Sequence, residues 1–318
     1  MKIAVIDVGG TFIKYACMNE KSEILSRGKV PTPQDTSENF VDALVEIYNL
    51  LPGVEGMALS LPGIIDSENL HCVTCGALHY NDNFFVGKAI KEKIPELKLS
   101  MENDAKCAGM AEASVGALQD VEDGFVLVFG TGIGGAFIKN HTLHRGHHFS
   151  AGEVSFLLTD KDAPQMINEF RWGNQCGVPQ LCELYAERKN LHSRDVDGEK
   201  FFVAANSGEP VALKCLELFT RRIAIQIFNI QMLLDPQKFA IGGGISAQPI
   251  FIEYLRKNID ALAQDTDLYK LSEYIEDDGD SFVDKGDSDI VTDDDSDIMI
   301  DDDSDIMIDD DSDIMIDD

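Results

Sequence analysis

Asp7-Val8-Gly9-Gly10-Thr11-Phe12-Ile13-Lys14 sets a carboxylate at the end of an apolar run, two glycines and a hydroxyl in the turn after it, and a cation three residues beyond. Glycine lets backbone N–H groups come close to phosphate oxygens, so the pattern suits a phosphate-binding turn. A Gly-Gly hairpin turn is the plainer alternative, although it requires neither the aspartate nor the lysine. Gly130-Thr131-Gly132-Ile133-Gly134-Gly135 contains G-x-G-x-x-G, but a dinucleotide fingerprint needs a helix to open at its third glycine. Here Ala136-Phe137-Ile138-Lys139 continues as strand, and the chain has no G-x-x-x-x-G-K-[ST]. The reading left is a second phosphate-binding β-turn.

Glu102-Asn103-Asp104-Ala105 falls at a strand-to-helix junction. Asp104 then lies in the first helical turn, a position that favours an anion. The plainer alternative is that Asn103 caps the helix and Asp104 complements its dipole. Ala151-Gly152-Glu153-Val154 places a carboxylate after small residues in a loop, preceded by His141, His144, His147 and His148. Those histidines lack the spacing of a metal site on one helix face and read as exposed loop residues. Cys72-x-x-Cys75 is a single pair with no second pair, and reads as small buried residues rather than a zinc or redox site.

The elements that must position these groups alternate. Ile3–Val8, Phe12–Met18 and Glu23–Val30 read as strands. Phe40, Val41, Leu44, Ile47, Tyr48 and Leu51 have helical spacing over 37–51, with Ser37 as N-cap and Pro52-Gly53 as stop. Strand returns over Val54–Leu61, helix over 103–116, and strand over 124–130 and 135–139. The long helix of 211–234 carries Ala212, Leu216, Phe219, Ile223, Ile227, Ile230 and Leu234 on one stripe, and a strand at 238–241 runs into Gly242-Gly243-Gly244. The class is α/β. Two glycine turns between strands suggest two related halves facing one cleft, with a boundary near 117–123.

The chain has 318 residues, 44% of them hydrophobic, enough for a large core and about two domains. Its formal charge is −31, of which residues 276–318 carry −20, from 21 acidic residues and Lys285. Residues 293–316 are three identical copies of Asp-Asp-Asp-Ser-Asp-Ile-Met-Ile. Four aspartates per octad repel one another, so disorder is the expectation for residues 277–318. An acidic body with an acidic tail argues against nucleic-acid or anionic-membrane partners. No apolar run reaches the roughly 18 residues of a membrane span. The first residues reach Asp7 too soon for a signal peptide. Seven scattered cysteines form no disulfide framework, and a reduced, cytoplasmic compartment is expected.

Taken in order over about residues 1–260, these stretches resemble the ROK family of sugar kinases in the actin-like ATPase superfamily. The motifs are Asp7 to Lys14, Leu61-Pro62-Gly63-Ile64-Ile65-Asp66, Glu102 to Ala105, Gly130 to Gly135, Ala151-Gly152-Glu153 and Ile241-Gly242-Gly243-Gly244-Ile245. Gly76 to Phe84, Arg145 to Glu153 and Leu234-Asp235-Pro236 look most like its β-glucoside kinase branch. The resemblance implies a two-domain, ribonuclease H-like α/β fold, residues 1–118 and 119–276, with the active site in the cleft between them and the acidic tail from 277. It implies ATP and Mg²⁺ as cosubstrate and metal, a sugar as acceptor, and a homodimer.

In the same resemblance Gly9, Gly10, Thr11 and Lys14 face the ATP phosphates, Gly130, Thr131 and Gly132 form the second phosphate turn, and Gly243 and Gly244 approach the adenosine. Asp7 helps to position Mg²⁺. Asn83, Asn103, Asp104 and Glu153 hydrogen-bond sugar hydroxyls, and Asp104 is the general base. Glucokinase, another hexose or N-acetylhexosamine kinase, and a catalytically impaired sugar-binding protein are the alternatives. The family's transcriptional repressors carry an N-terminal helix-turn-helix, for which the start of the first motif at Asp7 leaves no room.

Two departures stand out. Many members hold zinc through a histidine and three cysteines. Here Phe156, Asn174 and Leu181 take three of those positions, only Cys176 is in register, and Cys182 is one residue late. One thiolate does not make a tetrahedral site, so no structural zinc is expected. Past about Tyr274, nothing in the sequence resembles the strand and the Ala/Gly-rich returning helix that the family carries there.

Overall fold

The computed structural model describes residues 1–159, 168–264 and 271–277. In the first sheet, β1 (Lys2–Val8), β2 (Phe12–Asn19) and β3 (Ile24–Pro31) pair antiparallel, and β4 (Gly56–Leu61) and β7 (Lys98–Asn103) add in parallel beyond β1, giving the order β3-β2-β1-β4-β7. The second sheet is built from β8 (Gly124–Phe129), β9 (Ile133–Lys139), β10 (Thr142–Leu143), β11 (Lys238–Gly242) and β12 (Ile275–Asp277), in the order β10-β9-β8-β11-β12. It repeats the plan: two antiparallel pairings, then two parallel ones. Each glycine turn of the sequence closes the first hairpin of its own sheet. A small ribbon, β5 (Ile65–Asp66) with β6 (His71–Cys72), lies between.

Helices cover the sheets because apolar periodicities match. Ala4, Ile6 and Val8 alternate along β1 and are buried with Phe40, Val41, Leu44 and Ile47 of α1 (Ser37–Leu50) and with Val86 and Ile90 of α2 (Val86–Lys93). On the second sheet Phe125, Leu127 and Phe129 of β8 are buried with residues from four helices. These are α4 (Val178–Lys189), α5 (Gly198–Asn206), the long α6 (Pro210–Leu234) and α7 (Pro249–Ala263). Helix α3 (Asp104–Val115) follows directly on β7 of the first sheet, yet it packs on the second. A Cβ on Gly109 would sit 2.5 Å from the Cβ of Ala136 in β9, so glycine is what allows this approach.

Three local readings need correction. Thr36, not Ser37, caps α1, accepting the N–H of Asn39, while the Ser37 hydroxyl donates to the carbonyl of Tyr80 at 2.6 Å. Strand β9 begins at Ile133 rather than 135, because pairing with Phe129 of β8 already starts there. The chain beyond Tyr274 does form a strand: β12 lies parallel to β11, with Ile275 buried and its carbonyl accepting from Arg256 at 2.7 Å. Backbone pairing and one inward isoleucine suffice for an edge strand, so acidic composition hid it. The acidic repeat lies outside the described residues.

Candidate active site

The loop ends of both sheets and the start of α3 meet. Asn103 ends β7 and caps α3: its Oδ1 accepts the N–H of Lys106 at 3.0 Å, and its amide donates to the carbonyl of Gly63 at 3.0 Å and to Asp104 Oδ1 at 2.8 Å. Asp104 Oδ1 also accepts the N–H of Ala105 at 2.7 Å. Capping therefore does take place, and it fixes the Asp104 carboxylate at the helix start. Solvent reaches this carboxylate while protein crowds around it. Desolvation raises its pKa, and the charge of Asp7 pushes the same way; the N–H of Ala105 and the amide of Asn103 pull it down. A carboxylate so raised stays a stronger proton acceptor than an ordinary aspartate.

Asp7 lies one residue before the end of β1 and accepts the Ser60 hydroxyl at 2.6 Å; Lys14 is its cross-strand neighbour on β2. Residues 9–11 form an exposed turn, closed by Gly9 N–H to the Phe12 carbonyl at 3.0 Å. The second turn is closed by Gly130 N–H to the Gly132 carbonyl at 3.0 Å, and the Gly130 carbonyl accepts the N–H of Val178 at the start of α4 at 2.9 Å. Gly243 has φ +90°, and a Cβ there would meet the Phe129 carbonyl oxygen at 2.1 Å. The third glycine motif is thus seated against the end of β8, from which the second turn departs; Gly244 is exposed beside it. Strand β9 then reaches the start of α3, where a Cβ on Gly134 would sit 2.5 Å from that of Ala105.

Glu153 joins the group from the loop after β10. Gly152 (φ +84°) packs its carbonyl against Gly135, where a Cβ would come within 2.5 Å. The Glu153 carboxylate pairs with Lys106 at 2.8 Å. Desolvation raises its pKa, and Asp104 and Glu102 add to that; Lys106 opposes it by charge and hydrogen bond. A second ion pair, Arg145 Nε to Glu102 Oε2 at 2.6 Å, lies nearby. A cavity of about 540 Å³ opens there, lined by Ser60, Glu102, Cys107, Met110 and Arg145 among others.

The structure thus gathers Asp7, Asn103, Asp104 and Glu153 beside the β9 strand of the second turn. Asn83 stands apart from them: it is exposed, with φ +56°, and its Oδ1 lies 3.1 Å from His71 Nε2. Two residues earlier, Asn81 is fully buried, and neither its amide nitrogen nor its oxygen has a partner among the described residues. Its loop runs on from Gly76, whose N–H lies against Gly63, the residue that accepts from Asn103. Ser60, Lys106 and Arg145 were not legible in the sequence, since each acts through a partner on a different element.

The departures at the zinc positions have a physical counterpart. Leu181, Cys176 and Cys182 are buried in the core of the second sheet, the Asn174 amide donates to the Asn168 carbonyl at 2.9 Å, and the Arg171 guanidinium lies 4.7 Å from the centre of the Phe156 ring. Among the described residues no group of three or more His, Cys, Asp or Glu is disposed to hold a metal, and all four loop histidines are exposed. Cys72 and Cys75 are buried thiols that hydrogen-bond each other, which together with burial raises the Cys72 pKa.

Residues 3–276 match the ROK family. The chain belongs to the ROK family. Its relatives there include the β-glucoside kinase of Klebsiella pneumoniae, 31% identical over 259 residues that cover 81% of this chain and 87% of that protein. They also include the N-acetyl-D-glucosamine kinase of Vibrio parahaemolyticus, 32% identical over 273 residues, with 80% and 87% covered. Among solved structures, a ROK family protein from Streptococcus pneumoniae TIGR4 in complex with sucrose superposes with a TM-score of 0.76 at 30% identity, over 88% of this chain and 93% of that one. The ROK glucokinase of Streptomyces griseus, in complex with glucose and AMPPNP, shares the fold at a TM-score of 0.71 and 24% identity, over 82% and 89%.

Proposed function

We propose that this chain is an ATP-dependent carbohydrate kinase that phosphorylates a hydroxyl of a β-glucoside or hexose. The observation that carries the reading is the Asp104 carboxylate, fixed at the start of α3 with a raised pKa, beside Glu153 and the strand of the second glycine turn. Family membership and the printed activities of relatives support the same class.

Phosphoryl transfer asks a protein mainly to position the phosphates and orient the nucleophile. Closed by the N–H groups of Gly9 and Gly130, the two turns offer those of Gly10 and Thr11 and of Thr131 and Gly132 to the phosphates, with Lys14 beside the first, and Gly243 and Gly244 leave room for the nucleoside. Asp7, held by Ser60, would be the carboxylate that helps to hold Mg²⁺, and the ion would supply charge neutralisation at the phosphates when bound with ATP. Asn83, Asn103 and Glu153 orient the sugar by accepting and donating to its hydroxyls. Asp104 takes the proton of the attacking hydroxyl as the hydroxyl oxygen bonds to the γ-phosphorus and the bond from that phosphorus to the β–γ bridging oxygen breaks, releasing ADP; Oδ1 is already engaged twice, so Oδ2 is the acceptor.

A coupled ADP-release assay across cellobiose, glucose, mannose, fructose, N-acetylmannosamine and N-acetylglucosamine tests the reading; no sugar-dependent ADP release from any of them overturns it. An N-acetylhexosamine acceptor is the second outcome, favoured by the Vibrio relative. We further propose a division into residues 1–118, 119–276 and 277–318, with α3 as the element around which the halves turn. A homodimer belongs to the same reading, and exposed Ile225, Met232 and Leu233 of α6 offer it apolar surface. Unpaired cysteines throughout support a reducing, cytoplasmic setting.

A further inference from the structure

We propose that Lys106 is a positioning residue of the sugar site: its ammonium ties Glu153 and the 144–153 segment to the start of α3, and so sets the sugar's orientation relative to Asp104. The inference rests on the assignment of Glu153 to the sugar.

Lys106 has no exposed surface. A lysine is almost never fully buried without partners. Its two partners are both in the 144–153 segment: the Phe149 carbonyl at 2.6 Å and Glu153 Oε1 at 2.8 Å. The backbone of that segment passes through left-handed conformations at Gly146, Phe149 and Gly152, so its path is not one that local preference alone selects. Arg145, at its other end, is held by Glu102 at 2.6 Å. Glu102 and Lys106 flank Asn103 and Asp104 in sequence, and Asn103 itself caps the N–H of Lys106. The two ion pairs therefore refer the loop carboxylate and the base to one rigid helix start. A positional error of an ångström at such a site costs much of the rate.

Charge adds to the geometry. Glu102, Asp104 and Glu153 crowd three carboxylates together, with Lys106 on Glu153 and Arg145 on Glu102 as the opposing cations. Without the Lys106 ammonium, burial and the two neighbouring carboxylates raise the Glu153 pKa unopposed, which favours its protonated form. A protonated Glu153 loses acceptor capacity toward sugar hydroxyls.

The test uses the full chain and variants K106M, K106Q, E153Q and K106M/E153Q. K106M is expected to raise the sugar KM about tenfold or more, as for loss of a charged hydrogen bond, with the ATP KM within about threefold and kcat reduced less than the sugar KM rises. The double variant is expected to match E153Q alone, because Lys106 acts through Glu153. Amide hydrogen exchange over 144–153 should speed up in K106M. An unchanged sugar KM, additive effects in the double variant, or unchanged exchange over 144–153 overturns the proposal. Should K106M lose its cooperative melt, K106Q, which keeps a donor without the charge, carries the same comparison. If the parent chain phosphorylates none of the sugars, the kinase reading fails, while the exchange experiment still decides whether Lys106 holds the segment.

Discussion

Asp104 completes the helix start, and in the proposed reading its second oxygen is also the base. Asp104→Asn keeps the shape and removes the proton acceptor, so kcat should fall by at least about 10²-fold with a much smaller change in sugar KM. Near-normal turnover in steady-state kinetics would leave Asp104 as a helix-start residue only. The raised pKa gives a sign to the pH dependence. The base works when deprotonated, so kcat/KM should fall on the acid side with an apparent pKa above the usual aspartate range, and this limb should vanish in the residual activity of Asp104→Asn. Stability runs the other way. A carboxyl whose folded pKa is raised favours folding below its unfolded pKa and loses that contribution as pH rises through the folded value. At pH 7–8 Asp104→Asn should therefore melt no lower than the parent chain, a comparison that thermal melts settle directly.

At the scale of elements, glycines decide how closely strands and helices approach. Gly243, with φ +90° and the Phe129 carbonyl 2.1 Å from where a Cβ would be, tolerates no side chain. Gly243→Ala should cost roughly 1–3 kcal/mol of stability and raise the ATP KM more than the sugar KM, read by thermal melts and by separate titrations of the two substrates. Leu181 shows the opposite case, a position that the family resemblance gives to a zinc ligand and that is here buried in the core. Leu181 and Cys182 are core residues, and Phe156 faces Arg171. Purified protein should contain far less than one zinc per chain by elemental analysis; one zinc resistant to dialysis would show that ligands come from elsewhere, the loop histidines first.

At the scale of the molecule, the two sheets share one strand plan, and α3 leaves the first to pack on the second. The second sheet is closed at its edge by β12, where Ile275 is buried and Glu276 pairs with Lys238 at 3.2 Å. Burying one isoleucine contributes about 1.5–3 kcal/mol, so a chain ended at Tyr274 should melt several degrees below one ended at Asp277. Equal melts for the two truncations would show that β12 adds nothing to the sheet.

The sequence by itself determined the class, the two glycine hairpins, the helix start at Asn103-Asp104 and the family, because each is written in residues close along the chain. Periodicity and turn chemistry act over a few positions and need no partner from afar. Only the tertiary structure decided that Glu153 is held by a fully buried lysine, that Asn81 is a buried amide without a partner among the described residues, that Phe149 and Arg145 are tied to the start of α3, and that three acidic-flanked residues after Tyr274 complete a sheet. Those facts depend on burial and on charges brought together from positions some 40 residues apart or more. A lysine in a helix reads as solvated until the fold places a carboxylate and a carbonyl over it.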